Sequence, residues 1–173
     1  GGIPRPGEAS LAHHGVLFLD ELPEFRRSAL EALRQPLEDG EVHIGRARAA
    51  VRLPARFMLV AAMNPCPCGQ QGTSACDCSP EQVRRYQSRI SGPLLDRIDV
   101  QLALAPTAAA ELTRRVGGEP SARIRERVST ARERQLARYA GQGVFCNAQL
   151  DARLSRIHCA PDAPGKAILE TAI

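Results

Sequence analysis

Three short stretches carry side chains whose types and spacing suit phosphate chemistry. Val16-Leu17-Phe18-Leu19 is wholly apolar and runs straight into Asp20-Glu21. Ligands of open α/β sheets gather at the carboxyl ends of parallel strands. An acidic pair there can divide the work: one carboxylate holds Mg²⁺, usually through water, and the next orients the water that attacks a γ-phosphate. A second apolar stretch, Phe57–Met63, ends at Asn64. A neutral amide beside the acidic pair can hydrogen-bond the γ-phosphate or the attacking water without adding repulsive charge; a plain Asn-Pro turn is the other role open to Asn64-Pro65. Arg97 closes Leu94-Leu95-Asp96-Arg97, just ahead of a third strand-like stretch. It could reach the phosphate of a neighbouring subunit as an arginine finger, or bridge to Asp96 or Asp99. Apolar runs ending in acid recur at many strand ends, so the order and placement of all three stretches carry the inference.

A fourth cluster has metal-ligand character. Cys66-Pro67-Cys68 and Cys76-Asp77-Cys78 could supply four thiolates to one tetrahedral Zn²⁺. The pairs are tighter than the usual Cys-x₂-Cys, and Gly69 after Cys68 lets the backbone turn around a metal. Four thiolates leave no open position for chemistry, so such a metal would be structural. Reduced thiols in a loop, or a disulfide, are the alternatives. Cys146 and Cys159 lack the spacing for a site and are read as packing residues, and His13 and His14 as loop histidines.

The elements that must position these groups alternate. Val16–Leu19 suits a strand buried on both faces of a parallel sheet. Phe25, Ala29, Leu33 and Leu37 recur every four residues and predict an amphipathic helix over about 24–38, which Pro36 kinks or ends. Residues 41–54 alternate as a hairpin carrying Arg46, Arg48 and Arg52. Ser79-Pro80-Glu81-Gln82 has the pattern of a capping box, with a helix to about Ile90. Asp99–Leu104 alternates as a third strand. Beyond a connection over 106–120, a long Arg-rich helix is expected over Ala122–Ala140. Another follows from Ala148 to His158, capped by Asn147, and a last one begins after Pro161. Strand–helix alternation followed by helices alone implies an α/β domain with a helical appendage.

Composition bounds the rest. With 4 Phe, 2 Tyr and no Trp, the core must be aliphatic. No apolar run approaches the roughly 20 residues that span a bilayer, and no leader of secretory type stands at the start, so a cytoplasmic, reducing setting without membrane is expected. Residues 1–105 balance 12 Arg against 12 acidic side chains, whereas residues 106–173 carry 11 basic against 7 acidic. The second part is therefore basic enough to lie near phosphates, although an Arg-rich solvated helix face has the same composition. The chain starts Gly1-Gly2-Ile3 and its methionines are Met58 and Met63, which suggests a piece of a longer chain.

Four phrases together resemble a known family: Gly15-Val16-Leu17-Phe18-Leu19-Asp20-Glu21-Leu22-Pro23-Glu24-Phe25, Arg34-Gln35-Pro36-Leu37-Glu38-Asp39-Gly40, Ala61-Ala62-Met63-Asn64-Pro65-Cys66-Pro67-Cys68-Gly69, and Ser88–Asp99. They are similar to the YifB/ComM family of magnesium-chelatase-like AAA+ ATPases, through most of residues 1–105 and more loosely to the end. The resemblance implies part of a P-loop NTPase (AAA+) core over 1–105 with an inserted β-hairpin, a linker over 106–120 and a partial helical lid over 121–173. It implies Walker B roles for Asp20 (Mg²⁺-ATP) and Glu21, sensor 1 for Asn64 and an arginine finger for Arg97. A hexameric ring acting on DNA, in helicase-like recombination or competence work, follows from the same likeness. The hairpin would then face the pore, where Arg46, Arg48 and Arg52 can grip a phosphate backbone; a solvated hairpin tip is the plainer role.

One departure is large. A P-loop needs Gly-x-x-x-x-Gly-Lys-Ser/Thr, and the single lysine, Lys166, is followed by Ala167. The family carries that loop upstream of the residues matched here, and its second sensor arginine at or beyond Ile173. Residues 1–173 alone are therefore expected neither to bind ATP tightly nor to hydrolyse it, with the Asp99–Leu104 strand left short of a neighbour. Two other functions stay open: a zinc-stabilised nucleic-acid-binding module without ATPase activity, and a magnesium-chelatase-type subunit working on tetrapyrroles, from which the Cys-Pro-Cys-Gly loop points away.

Overall fold

A computed structural model describes residues 5–46, 49–105 and 117–172. Arg48, and residues 106–116 of the expected linker, lie outside the described residues. The chain divides into two compact units, Gly1–Leu104 and Ala105–Ile173.

The first unit is α/β. A single turn, α1 (Glu8–Leu11), precedes strand β1 (Val16–Leu19). After a 3₁₀ turn at Leu22–Glu24 come α2 (Arg27–Ala32) and α3 (Arg34–Asp39). The hairpin is β2 (Glu41–Arg46) with β3 (Ala49–Pro54), followed by β4 (Met58–Ala61), α4 (Pro80–Gln87) and α5 (Gly92–Leu95). β1 and β4 pair in parallel with Leu19 opposite Ala61, and β2 and β3 pair antiparallel with Arg46 opposite Ala49.

Local chemistry explains most boundaries. The stripe expected to form one helix over 24–38 forms two, joined at Leu33. Pro36 has no amide hydrogen to donate to the Ala32 carbonyl, so the ladder breaks there and resumes with the Leu37 amide on the Leu33 carbonyl at 3.1 Å. Phe25 falls outside both helices and is exposed. Gly40 closes α3 in the left-handed region, φ +71°, where a Cβ would meet Arg56 Cγ at 2.6 Å. Ser79 caps α4 as expected: its Oγ accepts the Gln82 amide at 3.2 Å, and its own amide donates to Gln82 Oε1 at 2.7 Å. The core joins Leu22, Leu30, Ile90 and Leu94, with Leu19, Leu33, Leu37 and Leu95 against them.

Two strand expectations are corrected. β1 is not buried on both faces: Val16 and Phe18 are 58% and 59% exposed, because among the described residues β1 pairs with β4 alone and nothing covers that face. Asp99–Leu104 forms no strand. Alternation supplies a face but not a partner, and with none beside it Val100, Leu102 and Leu104 stay exposed.

The second unit is helical: α6 (Ser121–Arg138), a 3₁₀ turn at Asn147–Gln149, α7 (Ala152–His158) and α8 (Ala163–Ala172). Its centre is Tyr139, fully buried, whose hydroxyl donates to Asn147 Oδ1 at 2.8 Å while His158 packs edge-on to the ring. Asn147 therefore does not cap α7. Asp151 does, its Oδ1 accepting the Leu154 amide at 2.6 Å.

Candidate functional site

The ladder between β1 and β4 continues past both strands. The Ala62 amide donates to the Leu19 carbonyl at 2.9 Å, and the Leu22 amide to the Ala62 carbonyl at 3.0 Å. Asp20 and Glu21 are thus the excursion between two rungs, at the carboxyl end of the parallel pair. Glu21 sits in the left-handed region at φ +51°, ψ +45°, a conformation that costs a non-glycine residue about 1–2 kcal/mol. Its amide donates to Asp20 Oδ1 at 2.9 Å, which fixes the two carboxylates relative to each other and leaves Asp20 Oδ2 for a ligand. Strain held at a solvent-exposed acidic pair accords with a binding role.

Asn64 follows the end of β4 on the neighbouring strand. Gly69, at φ +77°, brings backbone against the Asn64 side chain, so that a Cβ there would lie 3.7 Å from Asn64 Cγ and Oδ1. Tyr86, buried on α4, has its phenol pKa raised. Burial is the main reason for the rise, with the negative charge of Glu24 next and that of Glu21 adding to it, while Arg89 opposes. Tyr86 therefore stands within electrostatic reach of Glu21. The structure brings Asp20, Glu21 and Asn64 to one end of one sheet. Arg89 completes this edge, its Nη1 donating to the Pro23 carbonyl at 3.2 Å and to Glu24 Oε1 at 2.9 Å.

Arg97 is engaged elsewhere. Its Nη2 and Nε lie 2.7 and 2.9 Å from Glu38 Oε1. The partner is the penultimate residue of α3, neither Asp96 nor Asp99. Both side chains stay 46% and 38% exposed, so the pair holds the arginine at the surface without removing it from solvent.

On the hairpin, Arg52 is exposed and lies opposite His43, whose Nε2 is 3.4 Å from Glu41 Oε2. Arg46 ends β2 at the tip.

The four cysteines converge. Their sulfurs all lie within 4.8 Å of one another, with Cys66–Cys68 at 3.3 Å, Cys68–Cys76 at 3.7 Å and Cys66–Cys76 at 3.9 Å. Thiolates about 2.3 Å from a tetrahedral zinc stand about 3.8 Å apart, so the Cys66, Cys68 and Cys76 sulfurs already have the spacing of a zinc shell, with Cys78 within 4.8 Å of each. The Gly69 amide donates to the Cys66 carbonyl at 3.0 Å, turning the chain between the first pair and the loop. The Gln70 amide is the first of several donors, with the Cys66 and Cys78 thiols after it, that lower the Cys68 pKa to about 6. At Cys78 the Cys68 amide favours the thiolate, but the Cys68 thiolate, burial and Cys66 outweigh it and push the thiol up to about 12. Cys76 is likewise raised: the Cys78 amide favours its thiolate, but burial, Cys68 and Cys66 outweigh it.

Sequence reasoning passed over Tyr86 and Glu38. Tyr86 shares a helical face with Val83, which signals packing; nothing in its spacing points to Glu24 or Glu21. Glu38 is 59 residues from Arg97, and no local pattern reports such a pairing.

Comparison with known proteins gives two family matches. The family described as magnesium chelatase, subunit ChlI, matches residues 1–112, and its C-terminal family matches residues 118–173. Over 139 residues the chain is 54% identical to the uncharacterized protein YifB of Escherichia coli (strain K12), covering 80% of this chain and 28% of that protein. Competence protein ComM of Haemophilus influenzae is 50% identical over 151 residues, 86% of this chain and 30% of that protein. An uncharacterized Mycobacterium bovis protein is 42% identical over 172 residues, 99% of this chain and 34% of its own length. The chain thus spans about a third of these relatives.

Proposed function

The chain belongs to the magnesium chelatase subunit ChlI family, and from that membership we propose that it is the hydrolytic part of an AAA+ ATPase motor acting on DNA. The observation that carries this reading is the placement of Asp20-Glu21 and Asn64 at the carboxyl ends of two hydrogen-bonded parallel strands. The name of the competence protein from Haemophilus influenzae is consistent with DNA as the substrate.

Mg²⁺, when bound with ATP, supplies charge neutralisation across the phosphates. Asp20 suits the metal, since its Oδ1 is committed to the Glu21 amide and Oδ2 is not. Glu21, held in its left-handed conformation, accepts a hydrogen bond from the attacking water and orients it. The Asn64 side-chain amide donates to the γ-phosphate or to that water. Arg97, surface-held by Glu38, exchanges that carboxylate for the phosphate of a neighbouring subunit in a hexameric ring. Arg46, Arg48 and Arg52 on the hairpin contact DNA backbone without base readout. The four cysteines hold one structural Zn²⁺ that staples the loop after Asn64. The glycine-rich lysine loop that grips ATP is not among these residues, so the activity is assigned to the full-length protein.

The test is ATP hydrolysis by the full-length protein, with and without single-stranded DNA at several salt concentrations. Stimulation by DNA, with affinity falling steeply as salt rises and weakened by Arg46→Ala/Arg52→Ala, supports the motor. DNA binding without hydrolysis would favour the zinc-stabilised binding module that the convergent thiols also permit. Hydrolysis indifferent to DNA would favour a chelatase-type subunit.

A further inference from the structure

We infer that one face of α6 is a second contact surface for nucleic-acid backbone, built on Arg123, Arg127, Arg134 and Arg138. The inference rests on the reading of DNA as the substrate. It extends that reading from the hairpin to the second unit, whose basic surplus the motor proposal leaves unused.

α6 spans Ser121–Arg138, and none of its side chains is buried. At 3.6 residues per turn, the four arginines fall within about 60° of one another and run about 22 Å along the axis. All four are exposed. Glu126 and Glu133 stand together about 100° round the helix from this row. No glutamate of α6 lies four residues from any of its arginines. Arg123 and Arg127, and again Arg134 and Arg138, are four apart, where like charges disfavour a helix. The row therefore weakens the bare helix and favours one with an anion laid along it. Composition accounts for six arginines on α6, not for the alignment of four.

Two of the four are steadied at their heads. Arg127 Nη1 lies 2.9 Å from Glu119 Oε2, yet its side chain stays 68% exposed, and the Arg138 guanidinium stands 5.8 Å from the centre of the Tyr139 ring. Among the described residues no carboxylate pairs with Arg123 or Arg134. Between the two pairs, Thr130 turns its hydroxyl onto the Glu126 carbonyl at 3.0 Å. The face that joins α6 to its own unit is a different one. Ile124, Val128 and Gln135 share it, about 90° from the row, and Gln135 Oε1 accepts the Asn147 amide at 2.8 Å. A protein partner covering Ile124 and Val128 would leave the row open. Guanidinium forks in line suit the repeated phosphates of an extended strand, without base readout. A lipid surface needs a broad apolar face, and α6 has only Ile124, Val128 and Leu136, with no aromatic.

The test is single-stranded DNA binding by the full-length protein over salt from about 0.05 to 0.5 M. Wild type is compared with Arg123→Gln/Arg134→Gln and with Arg125→Gln/Arg132→Gln. Each variant removes two charges and keeps good helix formers, but the second pair lies about 160° from the row. Loss of two contacts in the first is expected to reduce the slope of log affinity against log salt by about 1.4. Its binding at about 0.1 M salt should weaken more than tenfold, while the second variant's slope changes by less than about 0.5. Arg123→Lys/Arg134→Lys keeps both charges and is expected to keep the wild-type slope; a reduced slope there would overturn the inference. Equal losses in the two Gln variants would overturn it, since net charge and not the row would then matter. So would an Arg123→Gln/Arg134→Gln protein that binds DNA as wild type does while Arg46→Ala/Arg52→Ala weakens binding; the motor reading would stand. Wild type that binds no DNA would remove that reading and the inference with it. Vesicles of anionic phospholipid are titrated in parallel. Vesicle binding lost in Arg123→Gln/Arg134→Gln, with DNA binding intact, would assign the row to a membrane and overturn the inference.

Discussion

Zinc at the proposed four-cysteine site should be lost to acid along a defined curve. Thiolates, not thiols, bind zinc, so each ligand protonated in the free chain must lose its proton on binding. Cys78, held near 12, and Cys76, raised above its ordinary value, are both protonated at pH 7 in the metal-free state. Each zinc bound therefore releases at least two protons there, and log affinity should rise by about two or more per pH unit between pH 7 and 8.5. Cys68, lowered to about 6, is already largely a thiolate at pH 7 and adds little to that slope. Below pH 6 it takes up its own proton, so the slope must steepen by about one further unit. The sign follows directly: affinity falls as pH falls, and falls faster below pH 6 than above 7. The assay is a zinc titration against a competing chelator of known affinity at half-unit steps from pH 5.5 to 8.5. An affinity that varies less than about tenfold per pH unit near neutrality would refute four-thiolate binding. It would leave two or fewer of these sulfurs as ligands.

Three further outcomes follow from packing, capping and charge. Leu94→Ala empties a fully buried position in the cluster with Leu22, Leu30 and Ile90 and should cost about 3 kcal/mol in denaturant unfolding; a loss under about 1 kcal/mol would mean the cluster is not the core of its unit. Ser79→Ala removes the acceptor for the Gln82 amide and should lower stability by about 1 kcal/mol by thermal melting, with an unchanged midpoint contradicting the capping box. Glu38→Gln breaks a half-exposed pair with Arg97, so unfolding stability should move by under about 1 kcal/mol. If the proposed ring motor is correct, the same change in the full-length protein should alter ATP hydrolysis in assembled rings rather than nucleotide binding by each subunit, and equal loss of both would argue against a finger held in reserve.

Features set by neighbours in sequence were the legible ones. The capping box of α4 is written in four consecutive residues, and the hairpin over 41–54 in its alternation. The acidic pair was visible because an apolar run has to end somewhere and this one ends in charge. Features that need a distant partner were not. Asp99–Leu104 has the alternation of a strand, yet a strand exists only beside another, and none is there among the described residues. Asn147 has the side chain of a helix cap, but the buried Tyr139 hydroxyl claims it and Asp151 takes the role. The break at Leu33 follows from Pro36 acting four residues upstream, a detail that side-chain periodicity cannot register. Tyr86 was hidden because a buried tyrosine on an apolar helix face is ordinary; its significance lies in standing near Glu24 and Glu21, which are distant in sequence. The cysteine spacing showed that four sulfurs could meet, whereas their positions, all within 4.8 Å of one another, show how closely they do.

The central claim is that Asp20, Glu21 and Asn64 form the hydrolytic end of an ATPase sheet, and Glu21→Gln in the full-length protein tests it most directly. Turnover of ATP and its equilibrium binding are measured on the same preparation. Loss of an oriented water should lower kcat by about a hundredfold or more while ATP still binds. Hydrolysis undiminished in Glu21→Gln would contradict the claim.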